Sequence, residues 1–336
     1  MTKWMTKAGV VAVVAALVPG CVLKEKDDVS KFQEAIPQAD HVKVSGPEDT
    51  QNGGGSQGQS IQSDEPWANG PWAKYYGFTR HVRQGVNGVA ATVLGSVWII
   101  VHTQPTSLDS KEAVWGPWTD SLEPVTYRFR VTEVGEDEYD YTLEGRPKAS
   151  QNDGEYRAIL LGKGFGKGHP SHGDGTFTID LDTAFELDPF NQDPGETGKI
   201  KFTHDLPPDI TTNLFSQPRS VTAEFTPSHT DAWFTATSKS NADGTGTLKV
   251  DAYVDADESD ATKKEDISIL SQWNGTGAGR ADISITGGDV PADPGKVTAV
   301  ECWGSDFYRV YYDDSLAWEP SEGDAALCAF SSAPAP

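Results

Sequence analysis

Two periodicities divide the chain. Phe78, Val82, Val86, Val89, Val93, Val97 and Ile100 recur at spacings of three and four, the period of one helix face. They predict a helix over residues 75–103, with Pro105 limiting its far end. Arg80, Arg83, Gln84 and Asn87 lie off the apolar stripe in its first half. From Val93 on, apolar residues surround the axis, which predicts burial on every side there. Gly88, Ala91 and Gly95 form a strip of small residues that would let another backbone approach closely. The run from Val86 to Val101 includes Asn87, Thr92 and Ser96 and falls short of the about 20 strongly apolar residues of a membrane span, so it reads as a core helix.

After about residue 112 the period changes to two. Val125, Tyr127, Phe129 and Val131 alternate with Thr126, Arg128, Arg130 and Thr132. The same alternation marks 139–143, 177–181, 200–202, 221–225, 248–254, 267–269 and 281–285, each with one face on a core and one in water. Asp153-Gly154, Asp174-Gly175, Asp243-Gly244, Asn274-Gly275 and Gly287-Gly288 supply turn chemistry between runs. The fold class is therefore mainly β (α+β): a large curved antiparallel sheet, or barrel-like meander, of about ten to thirteen strands wrapped on one long N-terminal helix. Charged residues on the non-core faces argue against a transmembrane barrel.

The N-terminus carries a different signal. Lys3 and Lys7 precede an apolar segment from Ala8 to Val18, and Val18-Pro19-Gly20-Cys21 follows. This is the layout of a secretory leader. The tetrapeptide resembles the lipobox of bacterial lipoproteins, although Pro19 replaces the usual small residue. The resemblance implies cleavage before Cys21, then lipidation of its thiol and amine, palmitate among the acyl chains. Two or three chains anchor stably, at about 0.8 kcal/mol per buried methylene. In that family an aspartate after the cysteine often retains the protein at the inner membrane. Val22 stands there instead, which favours the outer membrane and leaves its periplasmic or surface face open.

Residues 1–20 are thus read as signal peptide and 21–64 as a flexible tether, ending in the Gly/Ser/Gln run of 52–58. Some local helix is compatible with Val29 to Ala35. A single β-rich domain is expected over 65–330 and a disordered tail over 331–336. Loss of the leader removes Lys3 and Lys7 and no acid, so the formal charge of −23 becomes about −25. Such a surface excludes nucleic acid as a partner and opposes electrostatic adhesion to anionic lipid. With Cys21 lipidated, Cys302 and Cys328 remain, and an exported chain makes them a disulfide.

Local chemistry is sparse. His169, His172 and Asp174 offer nitrogen and carboxylate ligands for zinc, with His204 or His229 as a distant fourth. A long hairpin loop explains the same Gly-rich segment. Asp255, Asp257, Ser259, Asp260 and Asp266 echo a calcium loop but lack its glycine, and an acidic hairpin tip accounts for them. Trp72, Trp115 and Trp118 offer aromatic platforms for sugars or plugs for the ends of the sheet. No nucleophile elbow, zinc-protease helix or kinase set occurs, no catalytic residue can be named, and no cofactor is expected.

Three readings follow. One is a noncatalytic cell-envelope lipoprotein, a structural or interaction module with a protein, lipid or polysaccharide partner. Another is a carrier of lipid or another apolar ligand in a sheet cavity; the plan of a helix against a curved sheet resembles that of periplasmic lipoprotein-sorting carriers in architecture alone. The third is an envelope-polymer hydrolase. An enzyme is the less favoured class. A packed interior would remove the second reading, and separation of His169 from His172 would remove the best local candidate of the third.

Overall fold

The computed structural model describes residues 27–47, 72–165, 173–190, 197–206, 218–255 and 262–334. Helix α1 (Asp27–Glu34) and helix α2 (Lys74–Val101) precede the sheet. The strands begin with β1 (Ser107–Leu108), β2 (Glu112–Trp118), β3 (Val125–Gly135), β4 (Glu138–Pro147) and β5 (Arg157–Phe165). Next come β6 (Asp174–Asp180), a short helix α3 (Leu181–Leu187), β7 (Gly198–Asp205), β8 (Arg219–Pro227) and β9 (Trp233–Ser240). The series ends with β10 (Gly246–Val254), β11 (Glu265–Trp273), β12 (Gly279–Gly287), β13 (Lys296–Trp303), β14 (Arg309–Asp314) and β15 (Glu322–Gly323).

All fifteen strands form one antiparallel sheet in sequence order, so it is a meander with open edges at β1 and β15 rather than a closed barrel. It holds more strands than the alternation predicts. The two edge strands are two residues each, too short to show a period. Their brevity also blunts the edges against pairing with another chain. β2 escapes the alternation because its register shifts between Trp115 and Trp118, where Gly116 takes φ +97°. β9 escapes it because its inward positions include Ser238 beside Ala236. Asp174-Gly175 lies within β6 rather than in a turn.

Sheets beyond about ten strands curl, and here one continuous core takes side chains from β2 through β14 together with α1 and α2. Trp115, Phe129, Tyr141, Phe177, Phe202, Leu248, Trp273 and Trp303 all lie buried in it. Large rings fit because glycine stands opposite them. A Cβ at Gly246 would come within 2.4 Å of the Trp273 ring, and one at Gly279 within 2.3 Å of Trp303. Both glycines are the cross-strand partners of those tryptophans.

α2 crosses this concave face, and its ends are held by distant strands. Ala73 at its start offers no capping side chain. Glu301 of β13 does the work instead, accepting from the Lys74 amide at 2.9 Å and the Tyr75 amide at 2.5 Å. The Ala73 amide donates to the Phe307 carbonyl. A carboxylate suits the positive end of a helix dipole. Arg309 donates to the same carboxylate at 2.8 Å and also reaches Glu319 and Glu322. Further along, Thr79 and Ser271 of β11 share a 2.6 Å hydroxyl bond. Past the far end, the indole of Trp115 in β2 donates to the Thr103 carbonyl at 3.0 Å.

Four expectations need correction. The second half of α2 is not buried all round: Trp98 is 49 % and Ile99 50 % exposed. Its side toward Gly88 and Gly95 faces open space, with no atom within 4 Å of a Cβ built there, so no backbone packs on the small-residue strip. An open sheet covers one stripe of the helix, Val82, Val86, Ala90, Leu94 and Val97, and leaves the other to solvent. By length and composition alone α2 also qualifies as a membrane span, yet this stripe belongs to the core shared with the sheet.

The reading of 21–64 as tether fails for residues 27–47. Phe32, Ala35, Ile36, Val42 and Val44 are buried in the main core. The Asn87 side chain pairs with both backbone groups of Val44, at 2.7 and 3.0 Å. Arg219 of β8 donates to Ser45 at 2.7 Å, and Lys31 bridges to Glu133 of β3. Polar residues dominate this stretch, and they hid five apolar side chains with no regular period. The Gly-rich run at 52–58 lies outside the described residues. The expected disordered tail is also corrected at its start: Gln272 donates to the Ser332 carbonyl and Arg280 to that of Ser331, which ties those two residues to β11 and β12.

Replacing Glu301 by Ala leaves two helix amides without their acceptor and leaves half-buried Arg309 only its longer contacts to Glu319 and Glu322. Urea unfolding is expected to show a loss of about 3 kcal/mol. Exposed Glu186, changed to Ala, serves as the comparison and should shift stability by less than about 1 kcal/mol.

Candidate functional site

The structure separates the candidates that the sequence groups. Cys302 and Cys328 form a disulfide with Cα atoms 5.4 Å apart, which ties the C-terminal segment to β13. Cys21, His169 and His172 lie outside the described residues. Asp174 opens β6 at an exposed position opposite Asp205 of β7. Among the described residues, no group of three histidine, cysteine or acidic side chains is arranged to hold a metal.

The tryptophans do not converge. Trp72 stacks on Tyr308 at 4.6 Å beside the start of α2. Trp115 is buried near the end of that helix. Trp118 stacks on Tyr127 over a second, smaller core of Val125, Ile159, Ala184 and Leu187. Trp115 and Trp118 sit in β2, near the sheet edge opposite the one Trp72 approaches, so the three cannot form one platform.

No family model, curated protein or solved structure matches the chain. Its chemistry is therefore read from its own geometry.

Two features go beyond the sequence reading. The first is the burial of His204, which the sequence offers only as a distant zinc ligand, with half-buried His41 near it. His204 occupies an inward position of β7 after Phe202, above Gly175 of β6, where a Cβ would come within 2.5 Å of the imidazole. His41 of the N-terminal segment lies close enough to act on it electrostatically. Burial, aided by His41, pushes the His204 imidazole down to about 4, against a smaller opposing pull from Asp174. The ring is thus neutral at physiological pH. Its signal in the sequence is a histidine in phase with Ile200 and Phe202, the inward positions of its strand.

The second is a depression of about 320 Å³ on the outward face of β9–β12, lined by Trp233, Asp251, Asp266, Ser268, Ser284 and Thr286 among others. Trp233 is 39 % exposed at its edge. Ser268 donates to Asp251 at 2.7 Å, and Lys249 pairs with the other oxygen of that carboxylate at 2.6 Å. An inward-facing position and an outward one differ by a single residue, so this lining becomes visible once strand register is known.

The His204 shift sets a pH window. An unfolded histidine titrates near 6.5 and the folded one near 4. Between those values the unfolded chain binds the additional proton, so stability falls as pH drops through the window. The loss contributed by His204 should approach about 3 kcal/mol by pH 4. Urea midpoints of the wild type and His204→Phe, compared from pH 7 to pH 4, should diverge in that sense. Parallel curves would rule out a neutral buried imidazole.

Proposed function

We propose that the protein is a noncatalytic, lipid-anchored component of the bacterial cell envelope, an interaction module that presents the outer face of its sheet. The observation that carries this reading is the filling of the concave face by the chain's own α1, α2 and residues 41–45. A carrier needs that space for its cargo, and here Phe32, Val44, Leu94, Trp115 and Trp303 occupy it as one core. Conspicuous buried polar groups also have structural partners. Glu301 caps α2, Arg219 holds Ser45, and Thr79 meets Ser271.

The lipobox-like Val18–Cys21 supports anchoring through Cys21, and Val22 favours the outer membrane. A formal charge of −23, about −25 once Lys3 and Lys7 leave with the leader, keeps the displayed body soluble and away from anionic headgroups. With residues 27–47 folded into the core, the span left to act as spacer runs between Cys21 and α1, much shorter than the tether the composition predicts.

Cells fed labelled palmitate should incorporate it into the wild type and not into Cys21→Ala. Native mass spectrometry of the Cys21→Ala protein should then give the mass of the polypeptide alone. A lipid that stays bound to that variant would replace the interaction module with a carrier. Palmitate label on the variant equal to that on the wild type would remove the anchor.

A further inference from the structure

We infer that the outward depression on β9–β12 is a docking site for a neutral saccharide chain. The inference rests on the interaction-module reading and gives it a ligand class.

Register makes the case. Thr235 of β9 pairs with Asp251 of β10, Asp251 with Ser268 of β11, and Ser268 with Ser284 of β12. Outward side chains at paired positions stand side by side, so these four make one row across the strands. The row is short and polar throughout. The next outward row reads Trp233, Tyr253, Asp266 and Thr286. On the other side stand Thr237, Lys249, Leu270 and Asp282. Trp233 and Tyr253 on one side and Lys249 and Leu270 on the other stand above the short row on β9–β11, and the depression follows that row as a trough across the strands to Ser284 of β12. Three interstrand steps give it a length of about 14 Å, enough for a short oligosaccharide.

Its chemistry selects the guest. Trp233 presents an exposed indole at one end, a surface on which the C–H face of a sugar ring can stack. Thr235, Ser268, Ser284 and Thr286 both donate and accept, while Asp251 and Asp266 accept strongly from hydroxyl groups. A polyol supplies donors and acceptors in the same density. Lys249 already neutralises Asp251, so the floor does not call for a cation. Among the described residues no basic side chain is part of the lining, and Lys249 in the flanking row is already paired with Asp251, so a uronate or a phosphate gains no unneutralised cation there. A few placed polar groups around one aromatic surface, in a volume of this size, is the usual composition of a small-molecule site.

The test uses the full chain in detergent, titrated by calorimetry with four neutral tetrasaccharides, those of N-acetylglucosamine, cellulose, starch and mannan. Tetragalacturonate and tetralysine are the charged comparisons. At least one neutral sugar should bind saturably, and Trp233→Ala and Asp251→Asn should each weaken it by about tenfold or more. Both positions face solvent, and unchanged thermal unfolding separates lost contact from lost fold. Trp72→Ala, which alters the aromatic pair beside α2, should bind as the wild type does. Failure of all four neutral sugars overturns the inference, as does binding that survives both trough substitutions or that occurs with tetralysine alone. None of these outcomes bears on palmitate labelling or bound lipid, so the anchored module stands or falls separately.

Discussion

A sheet with fifteen strands and two open edges presents an apolar face far larger than its hairpins can hide. That face has to be covered, and the remaining architecture follows from how. α2 has 28 residues and so reaches about 42 Å, long enough to lie across many strands at once. Its start is fixed less by its own sequence than by β13. Glu301 supplies the missing cap from 227 positions away, in a strand formed long after the helix has left the ribosome. Burial pushes this carboxyl up from its ordinary range, while Arg309 and the two helix amides pull it back. The pair is costly to desolvate, and its return is a defined position for the helix along the sheet.

One helix covers a stripe rather than a surface. The remaining space over β3–β9 is taken by residues 27–47, with Phe32 against Tyr139 and Ser45 against Ser238 and Arg219. The side chain of Asn87 joins the two covering pieces by pairing with Val44 as a backbone strand would. Helix, segment and sheet are thus interdependent, and removal of any one exposes the apolar surface of the other two.

The legible parts of the sequence were those whose signal is local. A period of 3.6 located α2, a period of two located most strands, and two leftover cysteines located the disulfide. Burial that comes from filling a gap has no period, so Phe32, Ile36 and Val42 were hidden among polar neighbours in a stretch that reads as linker. The far half of α2 misled in the opposite direction. Trp98 and Ile99 carry the composition of a core helix, but an open sheet has no second face to place over them. Glu301 was discernible in principle, as an acid in phase with Val297, Ala299 and Trp303, the inward positions of β13. The candidate site was the least legible element. Thr235, Asp251, Ser268 and Ser284 are unremarkable on four separate strands, and their adjacency exists only through register.

This division of labour constrains where recognition can occur. The inner face is committed to holding α2 and the N-terminal segment, and a ligand there would compete with the chain's own core. The outer face is covered by the C-terminal segment near β11 and β12, where Arg280 and Gln272 hold the Ser331 and Ser332 carbonyls. The disulfide at Cys302 fixes where that cover begins. On the same strands, Ser268 and Ser284 lie nearer the opposite ends and line the depression. A meander of this kind offers recognition through rows of outward side chains, each row drawing one residue per strand. Specificity then depends on register, which the inward alternation enforces: a slip by one residue would bring Asp251 and Ser268 into the core and turn Val250 and Ile269 to water. The packing that excludes a ligand from the interior is therefore the same packing that holds the exterior row in line.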